Sequence, residues 1–187
     1  MIGQPEKRHS VLRLPRFPNA RFLHPFPFSR ANTPDEIIRP ATVADIQPIC
    51  ELINGFAVQK LMLPRTPGAV RRNLDDFVVA EDGGRIAGCG ALTALDGSLM
   101  EIRSLAVHPD MHGQGIGAQL VARLLEKARA RGAQRVCALT LSPEFFAKQG
   151  FHVVNRWQIS PKIWQECVYC PKFHACDEVA VLKELGK

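Results

Sequence analysis

A glycine-rich turn between a strand and a helix is the feature that most constrains this chain. Gly113, Gly115 and Gly117 stand within five residues, between an apolar stretch at 99–107 and a helical pattern that begins at 116. Glycines let the backbone approach a ligand closely, and free N–H groups at a helix start attract anions. The turn therefore predicts a pyrophosphate cradle, and a turn without a ligand stays open as the alternative. Neither the Walker loop nor the dinucleotide fingerprint fits, because the residues that follow and the glycine spacing differ.

The periodicity of the chain around this turn predicts a mixed α/β (α+β) layer structure. Apolar residues recur at helical spacing in some segments and form short β-branched runs in others. Strands are predicted at 36–40, 77–80, 85–95, 99–107, 135–141 and 151–157, and helices at 43–54, 66–73, 116–131 and 143–149. The resulting order is βααβββαβαβ, in which a mixed, mostly antiparallel sheet is flanked by helices.

Proline usage divides the chain into segments. Residues 1–34 contain six prolines and interleave phenylalanines with arginines, and prolines at this density exclude a regular helix or a central strand. We expect residues 1–34 to be a disordered extension, 35–160 to be the folded domain, and 161–187 to be a cysteine-containing segment packing on that domain. An organelle transit peptide and a partner-binding arm are the alternatives for the extension.

The charge is unevenly distributed. Residues 1–40 carry seven Lys and Arg against three acids, a net of +4, so only +2 of the chain's +6 belongs to residues 41–187. Binding of nucleic acid requires a basic face on the folded part of the chain, and a membrane-spanning helix needs roughly 18 apolar residues in a row. We therefore expect the protein neither to bind nucleic acid nor to span a membrane. No signal-peptide pattern precedes the cysteines, so a cytoplasmic location is expected, with organellar import as the alternative.

The order of these motifs resembles the acetyl-CoA-binding core of the GCN5-related N-acetyltransferases (GNAT). His112-x-x-Gly115-x-Gly117 stands where that family binds the CoA pyrophosphate through backbone amides, with His112 in place of Arg or Gln. Phe146-x-x-x-Gly150-Phe151 matches a second family motif. The resemblance implies acetyl-CoA as co-substrate and a polarising backbone N–H on the strand. The cofactor-binding residues that it implies are Leu105, Ala106, Val107, His112, Gly113, Gln114, Gly115, Ile116 and Gly117.

Further segments resemble the short, kinase-domain-free N-acetylglutamate synthases. They include Leu61-Met-Leu-Pro-Arg65, the segment 101–109 and the C-terminal segment from Pro161. This resemblance implies acetyl transfer to the α-amine of L-glutamate, the first step of arginine biosynthesis. The alternatives are an acetyltransferase of another amine or of a protein N-terminus, and a non-catalytic CoA-binding module. The sequence leaves open whether the protein forms a homodimer. Many relatives have a tyrosine, which protonates the leaving thiolate, at the position where this chain has Phe146.

A carboxylate and three cations are the candidates for acetyl transfer to glutamate. Glu101, on the strand before the turn, is the candidate general base, and an ion pair with Arg103 or a lysine is the alternative. Two acceptor carboxylates each require a cation, for which Arg65, Arg103 and Lys162 are the candidates. Arg103 follows Glu101 by two residues, so both side chains leave the strand on one face.

Two further groups of residues carry polar or ligating side chains. Thr140 and Ser142, after a predicted strand, either bind the thiolate or cap the next helix. Cys167-x-x-Cys170-x5-Cys176, with His174 nearby, has partial spacing for zinc or an iron–sulfur cluster. Reduced thiols packing a tail and a redox-labile pair are the alternatives, and we assign no metal site to them.

Overall fold

The computed structural model describes residues 37–170 and 172–186. The prediction of a disordered extension at 1–34 lies outside these residues. None of the helices in the described ranges is long and apolar enough to cross a membrane. The strands and α-helices are β1 (Ile37–Pro40), α1 (Ile46–Val58), α2 (Pro67–Arg72), β2 (Phe77–Asp82), β3 (Arg85–Ala94), β4 (Leu99–Val107), α3 (Ile116–Ala130), β5 (Arg135–Thr140), α4 (Pro143–Lys148), β6 (His152–Val153), α5 (Ser160–Gln165) and β7 (Val179–Glu184).

The strands form one seven-stranded sheet in the order β1-β2-β3-β4-β5-β7-β6. Only β4 and β5 are parallel, so the predicted mixed, mostly antiparallel sheet is confirmed. The predicted strand at 151–157 is wrong beyond Val153, because Asn155 caps a 3₁₀ turn at Arg156–Ile159 and Trp157 N donates to its Oδ1 at 3.0 Å. Strand β7, which the sequence analysis did not predict, lies between β5 and β6.

A β-bulge interrupts β4 near its end. Cys89 of β3 faces Ala106, whereas Ala91 faces Arg103, so two residues of β4 stand opposite one residue of β3. Ser104 adopts a φ of 53°, in the left-handed region. An extra residue shifts the alternation of side chains by one. Met100 and Ile102 before the bulge, and Leu105 and Val107 after it, therefore all pack on the α3 side of the sheet.

The two central strands are paired only at their beginnings. The parallel register of β4 and β5 runs from Leu99↔Arg135 to Glu101↔Cys137 and ends there. Residues 102–107 of β4 therefore have a strand partner on the β3 side only. Because unpaired backbone groups need a hydrogen-bond partner, this opening is a place where a ligand can pair with β4.

Two layers of helix cover the sheet. Helix α3 packs on one face through Leu120, Val121 and Leu124, and α1 packs on the other face through Ile49 and Ile53. Gly90 permits the close approach of α3, since a Cβ there would lie 2.9 Å from Leu124 Cδ1 and 3.1 Å from Leu105 Cδ1. The tight approach holds β4 and the turn before α3 in a defined position.

Asp45, at the start of α1, links the helix to the edge strands. Its carboxylate accepts from Arg39 Nη1 at 2.7 Å and Nη2 at 2.9 Å, and from Thr42 N at 2.6 Å. The hydrogen bonds from Arg39, opposed by burial and supported by Thr42, lower the pKa of Asp45 from 3.8 to about 2. A carboxyl with a depressed pKa in the folded state stabilises that state at pH values above its unfolded pKa.

We therefore expect Asp45→Asn to lower the free energy of unfolding by about 2 kcal/mol at pH 7. The difference from the wild type narrows as the pH falls from 3.8 towards 2, where the wild-type carboxylate is protonated as well. Urea unfolding at pH 7 and pH 3 measures the free energy of unfolding of the variant and of the wild type, with Asp82→Asn in the β2–β3 hairpin as the control. An equal loss at both pH values would contradict the ionic origin.

Candidate active site

The turn before α3 presents its backbone N–H groups as the glycine spacing predicts. Gly113 and Gly115 have φ values of 80° and 87°, which side chains rarely tolerate. The first N–H groups of α3, those of Ile116, Gly117 and Ala118, have no acceptor within the helix. They lie at the N-terminus of the 15-residue helix α3, where the helix dipole favours negative charge. The turn therefore has the donors that a pyrophosphate requires.

Side chains of the turn hold it in place. His112 Nε2 donates to the Val107 carbonyl at 2.8 Å, which ties the turn to the end of β4. Gln114 Nε2 approaches Met111 Sδ at 3.7 Å, and the Ile116 side chain is buried in the core. At Gly117 a Cβ would lie 3.3 Å from the Phe145 ring. Because these side chains contact the protein itself, we expect the backbone of the turn to make the predicted contacts with CoA.

Glu101 lies at the point where β4 and β5 separate. Its exposed fraction is 3%, and Lys162 Nζ lies 3.0 Å from its Oε2 as an ion pair. No described donor is aligned to hydrogen-bond that oxygen. Burial raises the pKa of Glu101, and the positive charge of Lys162 opposes this only in part. A carboxylate with a raised pKa is a better proton acceptor at neutral pH, as a general base needs.

Lys162 and Glu166 join the C-terminal segment to this carboxylate. Lys162 on α5 is 8% exposed, and its Nζ lies 2.5 Å from Glu166 Oε2. Burial lowers the pKa of Lys162, but the carboxylates of Glu101 and Glu166 outweigh it and raise that pKa overall. Glu166 also accepts from Arg103 Nη1 at 2.6 Å. The alternative that Glu101 pairs with a lysine is thus seen in the structure, alongside a geometry that suits a base.

Two arginines line one pocket beside this network. Arg65 and Arg103 share it with Ser104, whose Oγ accepts from Arg65 Nε at 3.3 Å. Asn54 holds Arg65 by its backbone, since Oδ1 accepts from Arg65 N at 2.9 Å and Nδ2 donates to Arg65 O at 3.0 Å. Burial and the neighbouring Arg103 charge lower the pKa of Arg65. Two like charges on one pocket favour a bound anion between them.

The structure brings together most of the side chains that the sequence analysis singled out. Glu101, Arg103 and Lys162 belong to one charge network, and Arg65 lies beside it. Their roles as base and acceptor-binding residues stay predictions. Sequence reasoning missed Asn54, Ser104 and Glu166. The four-residue spacing of Lys162 and Glu166 on a helical stretch was a signal for their pair, whereas the contacts of the other two residues span 11 and 39 positions of sequence.

Phe146 stands where many relatives have a tyrosine, and its side chain has no hydroxyl. Phe146 is buried and packs edge-on against Phe145 and Phe151. Thr140 Oγ1 accepts from Ser142 N at 2.9 Å, while the Ser142 side chain makes no capping hydrogen bond to α4. The Ser142 hydroxyl is therefore not committed as a helix cap.

The three C-terminal cysteines line a second pocket. Cys167, Cys170 and Cys176 face it together with Phe173 and other side chains. Within residues 37–170 and 172–186, no three His, Cys, Asp or Glu side chains are grouped so that they could hold a metal ion. Burial raises the pKa of Cys167, which favours the neutral thiol. These residues do not fit a zinc or iron–sulfur site in this arrangement, and reduced thiols fit it.

An opening in a sheet, an N–H cradle beside it and a buried carboxylate within it are features that an acyl transfer can use. A family model described as the acetyltransferase (GNAT) family matches residues 45–152. The amino-acid acetyltransferase of Mycobacterium tuberculosis is 37% identical over 133 residues, which are 70% of this chain and 76% of that protein. An N-acetyltransferase of Chlorobaculum tepidum described as uncharacterised is 36% identical over 151 residues, or 81% and 97%. The chain belongs to the acetyltransferase (GNAT) family.

Solved structures agree with this assignment. A Mycobacterium tuberculosis protein in complex with CoA has a TM-score of 0.70 at 32% identity, covering 79% of this chain and 98% of its own. N-acetylglutamate synthase from Neisseria gonorrhoeae, complexed with coenzyme A and N-acetyl-glutamate, has a TM-score of 0.71 at 27% identity. The match covers 84% of this chain and 37% of that synthase. The predicted GNAT fold, the resemblance to short N-acetylglutamate synthases and the enzyme class are thereby confirmed, and acetyl-CoA as co-substrate fits the family.

Proposed function

We propose that this enzyme transfers the acetyl group of acetyl-CoA to the α-amine of L-glutamate. The observation that carries the proposal is the convergence of Arg65 and Arg103 on one pocket next to the buried Glu101. The amino-acid acetyltransferase of Mycobacterium tuberculosis and the Neisseria gonorrhoeae synthase, both similar to this chain, support it. The reaction would be the first step of arginine biosynthesis, in the cytoplasm, and we propose a homodimer as its assembly.

The charge of the network supports an acidic acceptor. Three cations, Arg65, Arg103 and Lys162, accompany two carboxylates, Glu101 and Glu166, so the cluster carries one excess positive charge when both carboxylates are ionised. Free L-glutamate carries a net charge of −1 at neutral pH, whereas glutamine carries none. A cationic pocket binds the former more strongly, because an excess charge in a partly buried site needs a partner.

The proposed transfer begins with a proton transfer and ends with the loss of the thiolate. Glu101 takes a proton from the acceptor ammonium, directly or through water, and the freed amine attacks the thioester carbonyl. A backbone N–H at residues 105–107 of β4 stabilises the oxyanion that forms, and the open edge of β4 leaves room for that contact. The tetrahedral intermediate still carries a second proton on the attacking nitrogen. As the carbon–sulfur bond breaks, that proton passes to the leaving CoA thiolate through Ser142, Thr140 or water, because Phe146 cannot donate one.

The assay that tests the proposal follows loss of the acetyl-CoA thioester by its ultraviolet absorbance. L-Glutamate, L-aspartate, L-glutamine and a reaction without acceptor are compared at equal concentration. We expect turnover with L-glutamate well above the other three. Equal rates with glutamine and glutamate would contradict the assignment of the acceptor and leave the acetyltransferase class unaffected.

Gly115 tests the role of the turn in acetyl-CoA binding. Its φ of 87° disfavours any side chain, by about 1–2 kcal/mol for an alanine. Relaxation of that strain moves the N–H groups of the turn, so we expect Gly115→Ala to raise the Kd for CoA about tenfold. Titration calorimetry measures this Kd. Gly97→Ala, in a turn where a Cβ meets nothing within 4 Å, is the matched control. Unchanged CoA affinity in Gly115→Ala would argue against the turn as the binding site.

A further inference from the structure

Glu166 is a charged residue of the site that the proposed mechanism leaves without a role. It follows α5 directly and is the only described carboxylate that contacts both Arg103 and Lys162. Its Oε1 accepts from Arg103 Nη1 at 2.6 Å, and its Oε2 accepts from Lys162 Nζ at 2.5 Å. Its side chain is 39% exposed, whereas those of Arg103 and Lys162 are 17% and 10% exposed, so the carboxylate reaches from the surface to two largely buried cations. Two short contacts from one such side chain therefore suggest a role in the site rather than in the core.

Lys162 is shared between two carboxylates. Its Nζ stands 3.0 Å from Glu101 Oε2 and 2.5 Å from Glu166 Oε2. Lys162 and Glu101 are both nearly inaccessible to solvent, so water screens their interaction weakly. The ammonium lies nearer to Glu166 than to Glu101, and a single positive charge between two negative charges neutralises neither of them fully.

We propose that Glu166 is a positioning residue of the acetyl-transfer site, which shares the ammonium of Lys162 with Glu101 so that this carboxylate keeps its strength as a base. The inference rests on the proposed function in one respect, because it takes Glu101 as the base. Without Glu166, the full ammonium charge would face Glu101 and stabilise its ionised form. A carboxylate stabilised in this way accepts a proton from the acceptor amine less readily.

The charged and titratable groups around Glu101 all bear on this balance. They are Arg103 on the same strand, Arg65 before α2, Cys137 on β5, and Lys162, Glu166 and Cys167 on the C-terminal segment. Burial raises the pKa of Glu101 most, Lys162 and Arg103 lower it, and Glu166 raises it. A neutral residue at position 166 removes the negative charge that raises the pKa of Glu101. It also leaves the ammonium of Lys162 to Glu101 alone, which lowers that pKa. Both changes therefore lower the pKa of Glu101.

The first test is the pH dependence of kcat/KM with L-glutamate. We expect Glu166→Gln to move the acid limb of this profile to lower pH by about one unit and to lower its plateau value of kcat/KM several-fold. Glu166→Asp keeps the negative charge and should return the limb towards the wild-type position. Glu126→Gln removes an exposed carboxylate paired with Arg123 at 2.9 Å and should leave the limb unchanged. If Glu166→Gln does not fold, Glu166→Ser supplies the neutral side chain.

The second test measures the titration of the Glu101 carboxyl group in the absence of an acceptor amine. Carbon-13 NMR follows the titration of its carboxyl carbon, whose signal is assigned by its disappearance in Glu101→Gln. A lower midpoint in Glu166→Gln than in the wild type supports the inference. An unchanged midpoint overturns it, even if activity or stability falls, because a purely structural role would have that result. Absence of glutamate preference in the wild type, together with a shifted midpoint, would refute the proposed function and leave the effect of Glu166 intact.

Discussion

Glu101→Gln is expected to lower kcat/KM for L-glutamate by about 10²–10⁴-fold, the usual contribution of a general base. The amide has nearly the shape of the carboxylate but cannot take the proton of the acceptor ammonium. Lys162 keeps Glu166 as its partner at 2.5 Å, so the variant retains an ion pair at this position. The loss therefore falls mainly on kcat. Steady-state kinetics across a range of glutamate and acetyl-CoA concentrations separates kcat from KM.

Two measurements guard this expectation. Glu51→Gln, on the exposed face of α1, removes a carboxylate that accepts only from Gln47 among the hydrogen bonds of the described residues, and it should leave the kinetics unchanged. The Kd for CoA in Glu101→Gln should equal that of the wild type, because the turn before α3 is untouched. A Glu101→Gln enzyme with near wild-type kcat would show that Glu101 is not the base, and another group or water would have to accept the proton.

Lys162→Met is expected to be the most destabilising single change in the site. It leaves Glu101, 3% exposed, without its ion-pair partner, and removing one partner of a buried pair typically costs about 3–5 kcal/mol. Burial already raises the pKa of Glu101, and loss of the Lys162 charge raises it further. A carboxyl whose pKa is higher in the folded than in the unfolded state favours folding at low pH.

The sign of the pH dependence follows from this. The destabilisation of Lys162→Met should be smaller at pH 5 than at pH 8, because at low pH Glu101 is protonated and needs no partner. The acid limb of kcat/KM should move to higher pH, opposite to the shift expected for Glu166→Gln. Urea unfolding and pH profiles measure both, with Lys148→Met at the exposed end of α4 as the control. A destabilisation independent of pH would contradict the account of Glu101.

The predictions from local pattern agree with the structure wherever neighbouring residues determine the conformation. Strand β4 is observed at Leu99–Val107, the predicted range, and α3 begins at Ile116 directly after the glycines. Periodicity and glycine positions describe short-range preferences, which these segments follow. Strand β7 shows the opposite case. Its residues, Val179–Glu184, form a strand between β5 and β6 by pairing with β5, from which α4, β6 and α5 separate it in sequence.

The candidate site divides in the same way. The sequence singled out Glu101, Arg65, Arg103, Lys162 and the glycine turn through the chemistry of each residue type and through the resemblance of the surrounding segments to acetyltransferases. The sequence did not show which of these side chains contact each other, since Arg103 and Glu166 are 63 positions apart and Arg65 and Ser104 are 39 apart. Long-range contacts of this kind depend on how the sheet and the C-terminal segment pack.

The sequence by itself determined the glycine turn, because the cradle for the pyrophosphate is a backbone conformation that glycine spacing encodes. The resemblance of the motifs around the turn to the GNAT family implied the acetyltransferase core. Only the tertiary structure decided the charge state of the site. Burial of Glu101 where β4 and β5 separate, and the sharing of Lys162 between two carboxylates, arise from segments brought together by folding. Burial and neighbouring charges set the pKa of a group, and neither is a property of the residue alone.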